Sequence, residues 1–372
     1  MTDPGALLTQ LAGAAGASLR VERADGSLLW QGAAGPAMPG GAAMTPETPF
    51  HTASIAKTFT ATLILQLAEE GCFGTTGLDT SFAAIAPFEP AIAARLAPAA
   101  TTLRHLLSHT SGLRDGFEDS AEEVGGRNGP ASDSLMQHMI AGDPSRDWTP
   151  WDPASPDDRE AGVLNWFLAS GIAAAPLSLP GARFHYSDTG YMLLALIAEA
   201  VAGADYPSLV RTRILRPLGL ENQIYMPWRE PRPVAMAHPD ADVWMGEMPL
   251  IASGGNLSFD YGGGGLVATP SALIAFLRAL LAGRLFRSPD TLTAMAHLHA
   301  PPGLALPRSG VGLGLFETRL GRFRFMGHSG AWSGRMLFAP DEGLFLAGSL
   351  NRTDAPTDWH AEMLQSILEI HR

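Results

Sequence analysis

Apolar residues recur at helical spacing through Ile55, Phe59, Leu63, Ile64, Leu67 and Ala68, predicting a largely buried helix that Ser54 opens and Gly71 ends. A second apolar helix is expected from Met192 to Ala202, with Ser187 or Asp188 as N-cap and Gly203 as its stop. A third starts at Thr269-Pro270-Ser271, where proline suits the first turn. Near the C-terminus the period changes. Arg322 to Trp332 alternates and then turns through small residues, Met336 to Gly343 ends in a turn, and Leu344 to Asn351 is a near-continuous apolar run. These segments predict an antiparallel meander.

Composition narrows the class. Apolar residues make up 46% and charged residues 17%, as in compact globular chains, and the 41 Gly and 29 Pro are scattered rather than periodic. A net charge of −12 with dispersed arginines argues against a nucleic-acid face or an anionic membrane surface as partner. The longest apolar stretch, Met192 to Ala204, is too short to span a bilayer and contains Glu199. The opening Met1-Thr2-Asp3-Pro4 carries no basic group and makes a poor secretory signal, so a cytoplasmic location is expected. Cys72 follows a helix end and reads as a small apolar residue.

Of the 25 basic residues, 24 are arginine and one, Lys57, is lysine. Surface charge and ion pairing are served by either type, but only lysine sheds its proton near neutral pH when buried. Lys57 lies three residues after Ser54, one turn along the same helix face, so its amine can reach the serine hydroxyl. Burial is expected to keep that amine neutral and able to take the Ser54 proton, while free N–H groups at the helix start favour a developing oxyanion.

Two further elements extend the pattern. Tyr186 stands in the turn before the second helix, where a phenol can share a proton with an amine or a serine. Ser329, Gly330 and Ala331 are small enough to let a substrate lie along a strand edge, with the Ala331 N–H as a second oxyanion donor.

Together these residues resemble the family of serine β-lactamases, D,D-peptidases and related esterases, nearest to its class C-like branch. The elements come in family order: Ser54-Ile-Ala-Lys57, Leu103 to Gly112, Tyr186-Ser-Asp188, Tyr261-Gly-Gly-Gly-Gly-Leu266 and His328-Ser-Gly330. Ala17 to Gly35 looks like the family's opening hairpin, turning at Asp25-Gly26. The resemblance implies that Ser54 is acylated, that Lys57 or Tyr186 is the base, that the Ser54 and Ala331 N–H groups form the oxyanion hole, and that Asp188 and His328 line the site. Two positions depart from the pattern. Asp188 stands where Asn is usual and, when ionised, only accepts hydrogen bonds. His328 stands where Lys is usual and removes a permanent cation from the docking place of a carboxylate.

Other motifs carry less. His105 and His109 are four apart on a predicted helix, but no Glu follows His105, and a structural helix end is favoured over zinc. The Gly262–Gly265 run lacks a following Lys-Ser/Thr and reads as close backbone packing. The long irregular segment from Asp115 to Ala175 suggests an apolar acyl- or alcohol-binding wall built from Trp148, Trp151 and Trp332.

The expected fold is α/β (α+β) and β-lactamase-like. Segments 1–75 and 303–372 form an antiparallel sheet domain flanked by terminal helices, and 76–302 is an inserted, mainly helical domain. The expected function is a serine hydrolase cleaving esters of small or medium uncharged acyl groups, without metal or organic cofactor. Alternatives are an amidase or peptidase on D-amino-acid or cyclic amides, an acyltransferase, and, more remotely, a non-catalytic binding module. The oligomeric state is left open.

Overall fold

The computed structural model describes residues 3–117, 119, 134–174 and 176–371. Within the Asp115–Ala175 segment, residues 118, 120–133 and 175 lie outside that set.

Seven strands make one antiparallel sheet: β1 (Ala17–Arg23), β2 (Leu28–Ala34), β3 (Arg308–Val311), β4 (Phe316–Leu320), β5 (Phe323–Ser329), β6 (Arg335–Ala339) and β7 (Leu344–Ser349). Their order is β2-β1-β7-β6-β5-β4-β3, so the first strand of the chain pairs with the last, Ser18 opposite Ser349. The β1–β2 turn falls at Asp25-Gly26, where Gly26 takes φ 90° and donates its N–H to Arg23 O (2.9 Å).

Five helices frame the sheet and the site: α1 (Pro4–Ala12), α2 (Ala56–Glu69), α3 (Asp188–Ala202), α4 (Pro270–Leu281) and α5 (Trp359–Ile370). One face of the sheet packs Leu19, Phe325, Leu337 and Leu346 against Leu8 of α1 and Trp359 and Met363 of α5. The other face packs Met336, Phe345 and Ala347 toward Phe276 of α4. With both faces covered, every β7 residue is buried, which is why its sequence is a run rather than an alternation. Helix α4 belongs to the 76–302 segment yet lies on the sheet, so that segment is not purely a separate helical insert.

Helix α2 is the hub. All residues from Ala56 to Leu65 are buried, because α2 is enclosed by α3, by α4 and by the glycine run. Phe59 stacks on Phe276 of α4 (centroids 3.7 Å apart). At Gly262 a Cβ would lie 2.4 Å from the Ala195 Cβ of α3, so this close approach requires glycine. The architecture is a mixed α/β fold, an antiparallel sheet flanked by helices beside a mainly helical region.

Candidate active site

Ser54 sits in a single tight turn, Ala53–Ile55, that leads into α2. Ala53 just before it has φ 44°, a left-handed conformation that costs an alanine energy and is held by its surroundings. The turn presents Ser54 to a cavity of about 500 Å³ that is also lined by Tyr186, Asp188, Asp260, Ser329, Gly330, Ala331 and Trp332. Ser54 and Ala331 both line this cavity, and the backbone N–H of neither has an acceptor among the described residues. That is the arrangement an oxyanion needs.

Lys57 is wholly buried, one turn below Ser54. Its Nζ donates to Ser54 Oγ (3.0 Å), to Gly263 O (2.7 Å) and, in a very short contact, to Asp188 Oδ1. Three acceptors saturate the three protons of an ammonium. The expectation of a neutral amine is therefore corrected. Burial does pull the Lys57 pKa down, but the Asp188 carboxylate, with Tyr186 and Asp260 adding to it, outweighs burial and leaves the pKa above the ordinary lysine value. The glycine run accounts for part of this geometry: a Cβ at Gly263 would stand 3.3 Å from Asp188 Oδ1 and 3.5 Å from Nζ.

Tyr186 lies beside the pair, its ring centroid 5.1 Å from Lys57 Nζ. Burial drives its pKa up to about 12, against the lowering effect of Lys57, so the phenol is protonated at neutral pH. Its hydroxyl neighbours Ser54 but has no well-aligned hydrogen-bond partner among the described residues. His109 holds the ring from behind, stacked at 4.3 Å, and its Nδ1 accepts the Ser187 N–H (3.1 Å). Burial keeps His109 neutral, with Lys57 adding to the effect. The preceding helix stops at Leu107 and His109 has φ 55°, so His105 and His109 do not share a helix face. His105 instead completes the capping of its own helix with Thr102.

Further carboxylates lie near Asp188. Asp260 lines the cavity, and burial together with Asp188 raises its pKa to about 7. Asp115 accepts from the Thr189 N–H (3.0 Å) and hydroxyl (3.1 Å), and burial and Asp188 raise its pKa well above normal. Asp119, also in the lining, accepts from His185 Nε2 (2.8 Å) and the Asp115 N–H (2.8 Å). Burial works against its ionisation, yet these donors hold its pKa below the usual carboxylate range. Sequence reasoning missed Asp260, Asp119 and the buttressing role of His109. Their signals were the His-Thr-Ser-Gly stretch at 109–112 and the position of Asp260 two residues before the glycine run.

The remaining expected residues fall in different places. Trp332 lines the cavity, and its indole N–H has no partner among the described residues. Trp148 and Trp151 do not line it. Trp148 is buried in the main core beneath the Arg146 guanidinium (4.5 Å), and Trp151 packs edge-on against Phe88 (5.4 Å). Phe117, Met136 and Phe259 supply the apolar wall instead. His328 lines a neighbouring cavity rather than that of Ser54. Gly330 is needed for packing as well as lining, since a Cβ there would meet Thr52 O at 2.2 Å. Gly330→Ala is expected to cost about 1–3 kcal/mol and to slow labelling of Ser54, read from urea midpoints and probe kinetics.

The sequence from residue 6 to 366 matches the family model described as Beta-lactamase, and the chain belongs to that family. It is 30% identical over 199 residues to penicillin-binding protein 4 of Amycolatopsis lactamdurans, covering 53% of this chain and 42% of that protein. A 28% match to penicillin-binding protein 4* of Bacillus subtilis covers 34% of that protein, so the chain spans less than half the length of these relatives. Among solved structures, a D-stereospecific amidohydrolase from a Streptomyces species superposes with TM-score 0.72 at 26% identity, covering 98% of this chain and 96% of that one. A D-amino acid amidase from Ochrobactrum anthropi SV3 shares the fold at TM-score 0.71 and 22% identity, covering 98% of this chain and 96% of its own.

Proposed function

We propose that the chain is a serine hydrolase cleaving amide bonds of D-configured residues that carry a free amino group. The observation that carries the chemistry is Lys57 Nζ set 3.0 Å from Ser54 Oγ with Asp188 directly behind it. Ser54 Oγ attacks the carbonyl carbon, and the N–H groups of Ser54 and Ala331 receive the oxyanion. As the serine O–H bond breaks, Lys57 takes that proton and hands one of its own to Asp188. The pair thus accepts a proton without a free amine standing alone in the resting site. Collapse breaks the C–N bond, the leaving amine takes the proton back through Lys57 or Tyr186, and water hydrolyses the acyl-enzyme.

The substrate class rests on the cavity wall. Asp119, Asp188 and Asp260 face the same space as Phe117, Met136, Phe259 and Trp332. An ammonium next to an apolar side chain complements that lining better than an uncharged acyl group does, which favours amidase over esterase. The full-length similarity to the Streptomyces amidohydrolase supports the same choice.

The test compares p-nitroanilides of D-phenylalanine, L-phenylalanine and N-acetyl-D-phenylalanine, with p-nitrophenyl esters and a β-lactam alongside. The free D-amine is expected to exceed both other anilides in kcat/KM by at least about tenfold. A preference for uncharged acyl esters without stereoselectivity would return the esterase reading. A fluorophosphonate adduct is expected on Ser54 by mass spectrometry, and its absence would remove Ser54 as nucleophile.

A further inference from the structure

Tyr186 and Asp188 both reach Lys57, and the residues that alternate with them are tied elsewhere. Ser187 between them is extended (φ −143°, ψ 113°), which sends successive side chains to opposite sides. The alternate residues all bond to the segment 109–119. His185 donates its N–H to His109 O (2.8 Å), and its Nε2 lies 2.8 Å from Asp119 Oδ2. Ser187 donates its N–H to His109 Nδ1 (3.1 Å). Thr189 makes three bonds. Its N–H (3.0 Å) and hydroxyl (3.1 Å) donate to Asp115 Oδ1, and its Oγ1 accepts the Gly116 N–H (2.9 Å).

Asp115 is the centre of this clamp. It is fully buried, and its Oδ2 has no hydrogen-bond partner among the described residues. Burial and the charge of Asp188 both disfavour its ionised form. What the side chain contributes is therefore an acceptor at Oδ1 rather than a charge. Nor is that acceptor needed to start α3, because the Ser187 hydroxyl already caps the helix at the Gly190 N–H (3.1 Å). The bonds to Asp115 instead join the first turn of α3 to a separate part of the chain.

We infer that Asp115 is a positioning residue for acylation: its Oδ1, gripping the Thr189 N–H and hydroxyl, fixes the start of α3 so that Asp188 stands behind Lys57 and Tyr186 beside Ser54. The inference rests on the Ser54–Lys57–Asp188 chemistry proposed above and not on the choice of substrate.

Two readouts test it. Hydrogen exchange followed by mass spectrometry needs no reaction. Peptides covering residues 185–190 are expected to exchange at least about tenfold faster in Asp115→Ala than in the parent. Asp115→Asn keeps a neutral oxygen acceptor in place and should stay within about threefold of the parent. Fluorophosphonate labelling of Ser54 separates the bond-forming step from binding of the probe. Asp115→Ala is expected to lower the maximal labelling rate by about a hundredfold with little change in the half-saturating concentration, because a small displacement of a proton-transfer partner costs rate rather than affinity. Asp115→Asn should bring that rate back to within about threefold of the parent. Leu346→Ala, a truncation in the core on the α1 and α5 side of the sheet, controls for lost stability and should label at the parent rate. Thr189→Val loses only the hydroxyl and keeps both readouts decisive if Asp115→Ala fails to fold, with a drop in rate of about tenfold expected.

Parent-like exchange in Asp115→Ala overturns the grip itself. Full labelling rate in Asp115→Ala or in Thr189→Val, or an asparagine variant as slow as the alanine one, overturns the positioning role. Exchange requires no chemistry and labelling requires no particular substrate, so failure of this inference is distinct from failure of the proposed amidase activity.

Discussion

Lys57→Met is expected to slow acylation of Ser54 by about three orders of magnitude or more and to destabilise the fold by about 3–5 kcal/mol. The first effect is read from the rate of fluorophosphonate labelling, the second from urea unfolding. Both follow from one geometry. Lys57 is fully buried, and its three donors go to Ser54, Asp188 and Gly263 O. Removing the ammonium strands Asp188, whose neighbours Asp115 and Asp260 are already driven toward their protonated forms. Since the pairing raises the Lys57 pKa, its stabilising contribution is complete below the ordinary lysine value. It is lost on the alkaline side only as pH climbs through that raised pKa. Lys57→Arg separates charge from proton transfer. Arginine keeps a cation for Asp188 but does not release its proton, so it should retain more stability than methionine and still fail to acylate. Near-normal labelling of the arginine variant would refute the relay.

The parts of this site that depend on local pattern were legible in the sequence. The helix behind Ser54 shows in its apolar spacing, and the reach from Lys57 to Ser54 follows from one helical turn. The meander of β5, β6 and β7 shows in alternation followed by an apolar run. What depends on distant residues was not legible. Lys57 was read from burial alone, whereas its charge is set by Asp188, 131 residues away. Asp188 itself invited attention for the donor it lacks compared with Asn, not for the counter-charge it supplies. His109 sat at helical spacing from His105, but the helix ends two residues before it and a left-handed backbone turns its ring onto Tyr186. Trp148 and Trp151 shared a tryptophan-rich segment with no periodic signal to separate core from cavity.

Asp188→Asn should lower acylation at neutral pH and shift the rising limb of its pH–rate profile upward by about two units or more. In the parent the reactive state is the ion pair, with Asp188 ionised and Lys57 charged. That state needs no proton loss from Lys57, so the rising limb lies below neutrality and the rate stays level through it. With asparagine at 188 no carboxylate remains directly behind the amine, and Lys57 must itself be neutral to accept the serine proton. Burial then pulls its pKa down against the weaker pull of Tyr186 and Asp260. The amine titrates later than the original pair, and activity returns as the pH is raised. Asp260 complicates this in a useful way. Asp188 is one cause of its raised pKa, so the substitution should favour its ionisation and let it serve as a more distant counter-charge. Asp188→Asn/Asp260→Asn removes that substitute and leaves burial at Lys57 opposed by Tyr186 without either carboxylate. Its amine should then titrate at lower pH than in the single variant, moving the rising limb back toward neutrality. A profile that keeps the parent's limb in both variants would show that the serine proton does not leave through Lys57 and Asp188.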